Sequence, residues 1–122
     1  MLLLRDLRMG DVVLASEVVP LDAIVFERGG KVRRTGVRRS MQDPQVQSWH
    51  ADTTLLQHAK VAADQVARRR TASGGRALTY MTGAVGSSDT WRQSPQVIEQ
   101  IHSETQSLCE EMEAGAVAQA AA

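Results

Sequence analysis

Ala77-Leu78-Thr79-Tyr80-Met81-Thr82-Gly83-Ala84-Val85 runs directly into Gly86-Ser87-Ser88-Asp89-Thr90-Trp91, a strand-like segment that empties into a turn of small and hydroxylated residues. β-branched and aromatic side chains suit a pleated, half-buried surface. In open α/β sheets ligands sit beyond the carboxyl ends of the strands, where small residues let backbone groups come close, so residues 86–91 form a candidate ligand edge. Trp91 is the candidate for stacking on a planar base, and a core or lid position explains it equally well. Ser88 and Asp89 are read either as turn formers or as the cap of a helix over residues 97–102.

Working outward, the hydrophobic period changes in the order an α/β fold requires. Asp11-Val12-Val13-Leu14-Ala15-Ser16-Glu17-Val18-Val19 is a nearly continuous apolar run, as expected of a strand buried on both faces, and Pro20 ends or bends it. Residues 21–26 continue as an edge strand until Gly29-Gly30 turns the chain. Residues 31–50 carry Lys31, Arg33, Arg34, Arg38 and Arg39 among Gly36 and Pro44 without a sustained period, and read as a long, mobile loop. From Asp52 the pattern is helical: Leu55, Leu56, Ala59, Ala62, Ala63 and Val66 share one stripe, with His58 on a flank. Asp52 or Thr53 caps the start, Arg68-Arg69-Arg70 suit the negative end of the dipole, and Ser73-Gly74-Gly75 stop the helix.

Composition narrows the function classes. The chain has 122 residues, which is one domain at most, with 14 basic and 14 acidic side chains and no net charge, so no overall field draws it to nucleic acid or to an anionic membrane. The arginines lack interleaved aromatics and read as a solvated loop and a helix end. Met1-Leu2-Leu3-Leu4 is cut short by Arg5, too soon for a signal peptide or a membrane span, which makes a cytoplasmic location the expectation. Cys109 is the one cysteine, and His50, His58 and His102 are scattered, so no internal disulfide and no metal spacing is present. No cofactor is implied.

Cys109-Glu110-Glu111-Met112-Glu113-Ala114-Gly115-Ala116-Val117-Ala118-Gln119 places acidic residues ahead of an alanine-rich helical run. Unpaired N–H groups at a helix start favour anionic or hydroxyl-rich ligands and acidic side chains alike, so Glu111, Met112 and Glu113 fit either recognition or plain helix stability.

Taken together, Gly86-Ser87-Ser88-Asp89-Thr90-Trp91 and the later Cys109-Glu110-Glu111-Met112-Glu113-Ala114 resemble the 5′-methylthioadenosine/S-adenosylhomocysteine nucleosidases of the purine nucleoside phosphorylase superfamily. Ile101-His102-Ser103-Glu104-Thr105 between them is similar to the actinobacterial-type members, and Arg8-Met9-Gly10-Asp11-Val12-Val13 resembles the family's Gly-Asp-Val-Val strand. The resemblance implies a partial three-layer α/β/α phosphorylase/hydrolase-like fold with an incomplete mixed sheet, in one partial domain over residues 1–122. It implies a purine nucleoside of the methylthioadenosine or S-adenosylhomocysteine class as ligand. The loop of Ser88 and Asp89 would carry Trp91 against adenine, with the backbone of Arg92 at the base edge. Met112 would pack on the ribose, and Glu113, beside Glu111, would accept from its 2′- and 3′-hydroxyls. A carboxylate fixed there both orients the sugar and favours the positive charge it develops as the N-glycosidic bond breaks.

The family's water-activating Glu and purine-protonating Asp have no counterpart in these 122 residues, so no catalytic residue is identified and the chain reads as a shortened, internal piece of such an enzyme. Each missing proton transfer is worth roughly 10²–10⁴-fold, so little turnover is expected. The alternative is a non-catalytic remnant or binding module with part of the nucleoside pocket. Exposed sheet edges would then favour self-association, and the resemblance itself implies a homodimer.

Overall fold

In chain order the elements are β1 (Val12–Pro20), a 3-10 turn (Leu21–Ala23), β2 (Ile24–Phe26), β3 (Val32–Arg34), β4 (Trp49–His50), α1 (Thr53–Ala72), β5 (Tyr80–Ser87), α2 (Pro95–Thr105), β6 (Ser107–Glu111) and α3 (Ala114–Ala121). The computed structural model describes residues 7–122, so the apolar opening at residues 1–4 lies outside the described residues.

β1, β5 and β6 are parallel and β4 is antiparallel, giving a mixed sheet of order β4-β1-β5-β6. α1 and α2 lie on the two crossovers that parallel pairing demands. Val19, Leu21, Ala84 and Ile101 form the core, with Ile24 and Val97 against it, so α2 and the β2–β3 hairpin cover one face. Ala15 and Val18 point to the other face, where Leu55 of α1 and Ala118 of α3 share a cavity with them. Helices on both faces of a mixed sheet make this the α/β layering expected.

Local chemistry explains the elements. Asp11 accepts from the Arg8 backbone at 2.8 Å and from Arg76 at 3.1 Å, which fixes the start of β1 beside the approach to β5. Asp52 caps α1 by accepting from Leu55 N at 2.8 Å, and Ser73 and Gly74, the latter at φ +77°, end it. Pro95 occupies the first turn of α2, where its missing N–H costs nothing.

Five expectations change. β1 is half-buried along most of its length, with full burial reached only at Val19 and Pro20, and the face toward α1 and α3 opens on a cavity lined by Ala15 and Val18. Residues 21–26 are not one edge strand: Leu21 dives into the core from a 3-10 turn, and only residues 24–26 pair, with β3. Residues 31–50 are no long mobile loop, since β3, a Val37–Val46 bridge and β4 organise them, and their arginines are tied down. Arg33 pairs with Glu27 at 2.7 Å, while Arg34 and Arg39 donate to the carbonyls of Glu104 and Gln119. The α1 stripe is wider than the sheet covers: Leu56, Ala59 and Ala63 are half-buried, yet Leu55 is 68% and Val66 50% exposed. The cap of α2 is Ser94, without a side-chain bond, rather than Ser88 or Asp89.

Gly86 lets the 3-10 turn approach β5. A Cβ at that position would stand 2.5 Å from Leu21 Cδ1, and Leu21 is wholly buried. Gly86→Ala is therefore expected to destabilise the fold by about 1–3 kcal/mol through overpacking, read as a lower midpoint in urea; an unchanged midpoint would show that Leu21 has room to move.

Candidate functional site

The parallel strands β5 and β6 end side by side, and the segments that leave them face each other. Ser88 N donates to Glu111 O at 3.0 Å, which extends the ladder to the last residue of β6. β6 itself is a departure from the sequence reading, which opened a helix in this region: Cys109 and Glu110 are strand residues, Glu111 ends the strand, and the helix starts only at Ala114. Ser107 and Glu110, three residues apart across a register shift in β6, are both buried, one hydrogen-bonded and one ion-paired.

Glu111 closes the gap between strand and helix. Its Oε2 accepts from the backbone N–H groups of Glu113 and Ala114, both at 2.7 Å, so it caps α3. Its Oε1 is buried with no hydrogen-bond partner among the described residues. Ser87 Oγ accepts from Gly115 N at 2.8 Å and seats the start of α3 on the end of β5. Glu113 is exposed, its Oε2 accepting only a long bond of 3.3 Å from Met112 N.

Opposite, Ser88 is buried at 2% exposure and its hydroxyl is saturated. It donates to Asp22 Oδ1 at 2.7 Å and accepts from Arg92 Nη1 at 2.7 Å and Thr90 N at 3.0 Å. Asp22 Oδ2 accepts from Asp89 N at 2.8 Å. Arg92 Nη1 also donates to Glu110 Oε1 at 2.6 Å, and Nη2 reaches Leu21 O at 3.4 Å. Arg92 and Glu110 expose only 13% and 7% of their side chains, so this is a buried, charge-assisted pair.

The residues read from the sequence therefore fall into two groups. Trp91, Arg92, Glu111 and Met112 converge, with Thr90 and Glu110, on one crevice. Trp91 is 63% and Met112 45% exposed, which leaves a ring face and a thioether open at its rim. Ser88 lies beneath that crevice, and Asp89, with its side chain exposed, stands outside the lining, as does Glu113 next to Met112. Asp22 and Glu110 were not singled out: Glu110 stands in the acidic cluster but carries no signal separating it from its neighbours, and Asp22 is brought in from far along the chain. Cys109 is half-buried, and burial pushes its thiol above the ordinary value, so it stays protonated and a poor nucleophile at neutral pH. Among the described residues no group of three or more His, Cys, Asp or Glu is placed to hold a metal, and no helix is long and apolar enough to cross a membrane.

The family model described as Phosphorylase superfamily matches residues 2–122. A protein from Weissella paramesenteroides classed as a methylthioadenosine nucleosidase superposes with a TM-score of 0.70 at 26% identity, over 98% of this chain and 45% of its own. A mutant of the Helicobacter pylori enzyme abbreviated MTAN, with 5′-methylthioadenosine in the active site, gives 0.67 at 19% identity over 97% and 44%. The Neisseria meningitidis 5′-methylthioadenosine/S-adenosylhomocysteine nucleosidase in complex with methylthio-immucillin-A gives 0.60 at 23% identity over 94% and 43%. The chain thus spans less than half the length of these structures. A comparison with curated protein sequences gives no match.

The cap made by Glu111 yields a direct test. Glu111→Ala removes the acceptor for two N–H groups, and a loss of about 1–2 kcal/mol is expected, with reduced helical circular dichroism. Unchanged stability would mean that α3 starts without this cap.

Proposed function

Because this chain belongs to the phosphorylase superfamily, we infer that the ends of β5 and β6 bind a purine nucleoside of the methylthioadenosine class, as the binding part of a nucleosidase-type protein. The observation that carries the reading is the convergence of Trp91 and Met112 from two separate strand ends on one crevice. An exposed indole offers a stacking face to adenine, with the Arg92 backbone at the base edge. The Met112 side chain offers an apolar floor to the sugar. Glu113 supplies an exposed acceptor for ribose hydroxyls next to Met112. Ser88 and Asp89 shape the loop that carries the ring.

In N-glycosidic cleavage the sugar gains positive charge as the purine leaves. A carboxylate held beside the ribose stabilises that charge and fixes the ring for attack. Base protonation and water activation would fall to other groups, for the resemblance assigns no residue of this chain to either.

One observation favours a second reading, a module that binds without turnover. The crevice has a cavity volume of about 10 Å³, whereas sites that enclose a small molecule run to roughly 300 Å³ or more. The ligand would rest on an open platform, weakly held and in contact with water.

Titration with methylthioadenosine, followed by Trp91 fluorescence in a Trp49→Phe background, tests both readings. Saturable quenching is expected, weakened about tenfold or more by Glu113→Gln, and calorimetric titration, which does not depend on the indole, is expected to show a similar loss in Trp91→Leu, in line with the loss of a charged hydrogen bond or a stacking face. Adenine release that Glu113→Gln abolishes would select the nucleosidase, and binding without release the module. No saturable binding would remove the nucleoside reading altogether.

A further inference from the structure

Residues 89–93 leave β5 and reach α2 without any backbone-to-backbone hydrogen bond among the described residues. Trp91, at the tip, is largely exposed and has little packing to hold it. The segment is nevertheless anchored at both ends by side chains: Asp89 N and Ser88 Oγ on Asp22, Thr90 N on Ser88, and the Arg92 guanidinium on Ser88 and Glu110. Those partners lie at three different places in the fold: in the 3-10 turn, just past the end of β5, and next to the last residue of β6.

We propose that Asp22, Arg92 and Glu110 are positioning residues, a latch that holds the Trp91 loop at a fixed separation from Met112 so that base and ribose are gripped by one preorganised unit. The ligand named in that statement rests on the nucleoside reading, whereas the mechanics of the loop do not. The energetics of buried charge favour a positioning role over a stabilising one. Taking an arginine and a glutamate out of water costs about as much as their attraction returns, and an apolar pair of similar volume commonly supports a fold as well or better. What an apolar pair cannot supply is direction. The guanidinium is a planar fork with fixed N–H vectors. Here one nitrogen points both of its protons at once, to Ser88 on the loop side at 2.7 Å and to Glu110 on the β6 side at 2.6 Å. Glu110 lies two residues before Met112, on the same strand end, so the position of the loop is referred to the residue expected to meet the sugar.

The proposal separates local order from global stability, and the test does the same. In Arg92→Leu/Glu110→Leu the melting temperature is expected to stay near that of the wild type, while the Asp89 and Thr90 amides exchange with deuterium about tenfold faster or more. Adenosine affinity is expected to fall about tenfold, and by clearly more than adenine affinity, because only the nucleoside spans both halves of the crevice. If the double variant does not fold, Glu110→Gln and Asp22→Asn carry the same two measurements. Wild-type exchange at Asp89 and Thr90 in a folded variant overturns the latch, as does an equal loss of adenine and adenosine binding. Faster exchange in a protein whose wild type binds no adenosine upholds the latch and removes the nucleoside reading instead.

Discussion

The 2.6 Å contact between Arg92 and Glu110 is the constraint around which the strand-end region is arranged. Both side chains are nearly shut off from water, and a charge in that setting is tolerable only when its remaining hydrogen-bonding capacity is met. The Ser88 hydroxyl meets part of it by using its proton on Asp22 and its lone pairs on Arg92 and Thr90. Two consequences follow for the fold. The 3-10 turn must lie against β5, which a side chain at Gly86 would prevent. β6 must also present Glu110 inward, which sets the phase of the strand and leaves Glu111 to cap α3 and Met112 to turn outward.

That phase is what links sheet to site. Parallel strands bring their carboxyl ends to one edge, and in open α/β sheets this is where ligands are met. β5 delivers the Trp91 loop there and β6 delivers Met112, so a stacking face and an apolar floor stand next to each other without any residue of either segment having signalled its partner. The phosphorylase superfamily match over residues 2–122 and the likeness to nucleosidase structures agree with the α/β fold of the sheet, over less than half of those structures' length.

How much was legible in the sequence depended on element length and on the range of the contacts. β1, α1 and β5 announce themselves, since each carries several residues of a single period and α1 carries its own cap and stop. β2, β3 and β4 have two or three residues each, too short for any period, and exist through pairing and through arginines that reach carbonyls far along the chain. β6 was hidden for a different reason: its acidic residues look like the first turn of the helix that follows, and the partner that pairs with the buried Glu110, Arg92, lies in another segment. Trp91, Met112 and Glu113 could be named from their resemblance to a family motif. Asp22 could not, because an aspartate after a proline and a leucine has many explanations and only the folded chain places it under Ser88.

The central claim is that the two strand ends form one ligand-binding edge. An ¹⁵N NMR titration of the 122-residue chain with adenosine tests it most directly. The account predicts shifts confined to residues 88–92 and 111–114, moving together with a single dissociation constant. Shifts centred instead on the apolar cavity lined by Val18, Trp49, Leu55 and Ala118, or no shifts at all, would contradict it.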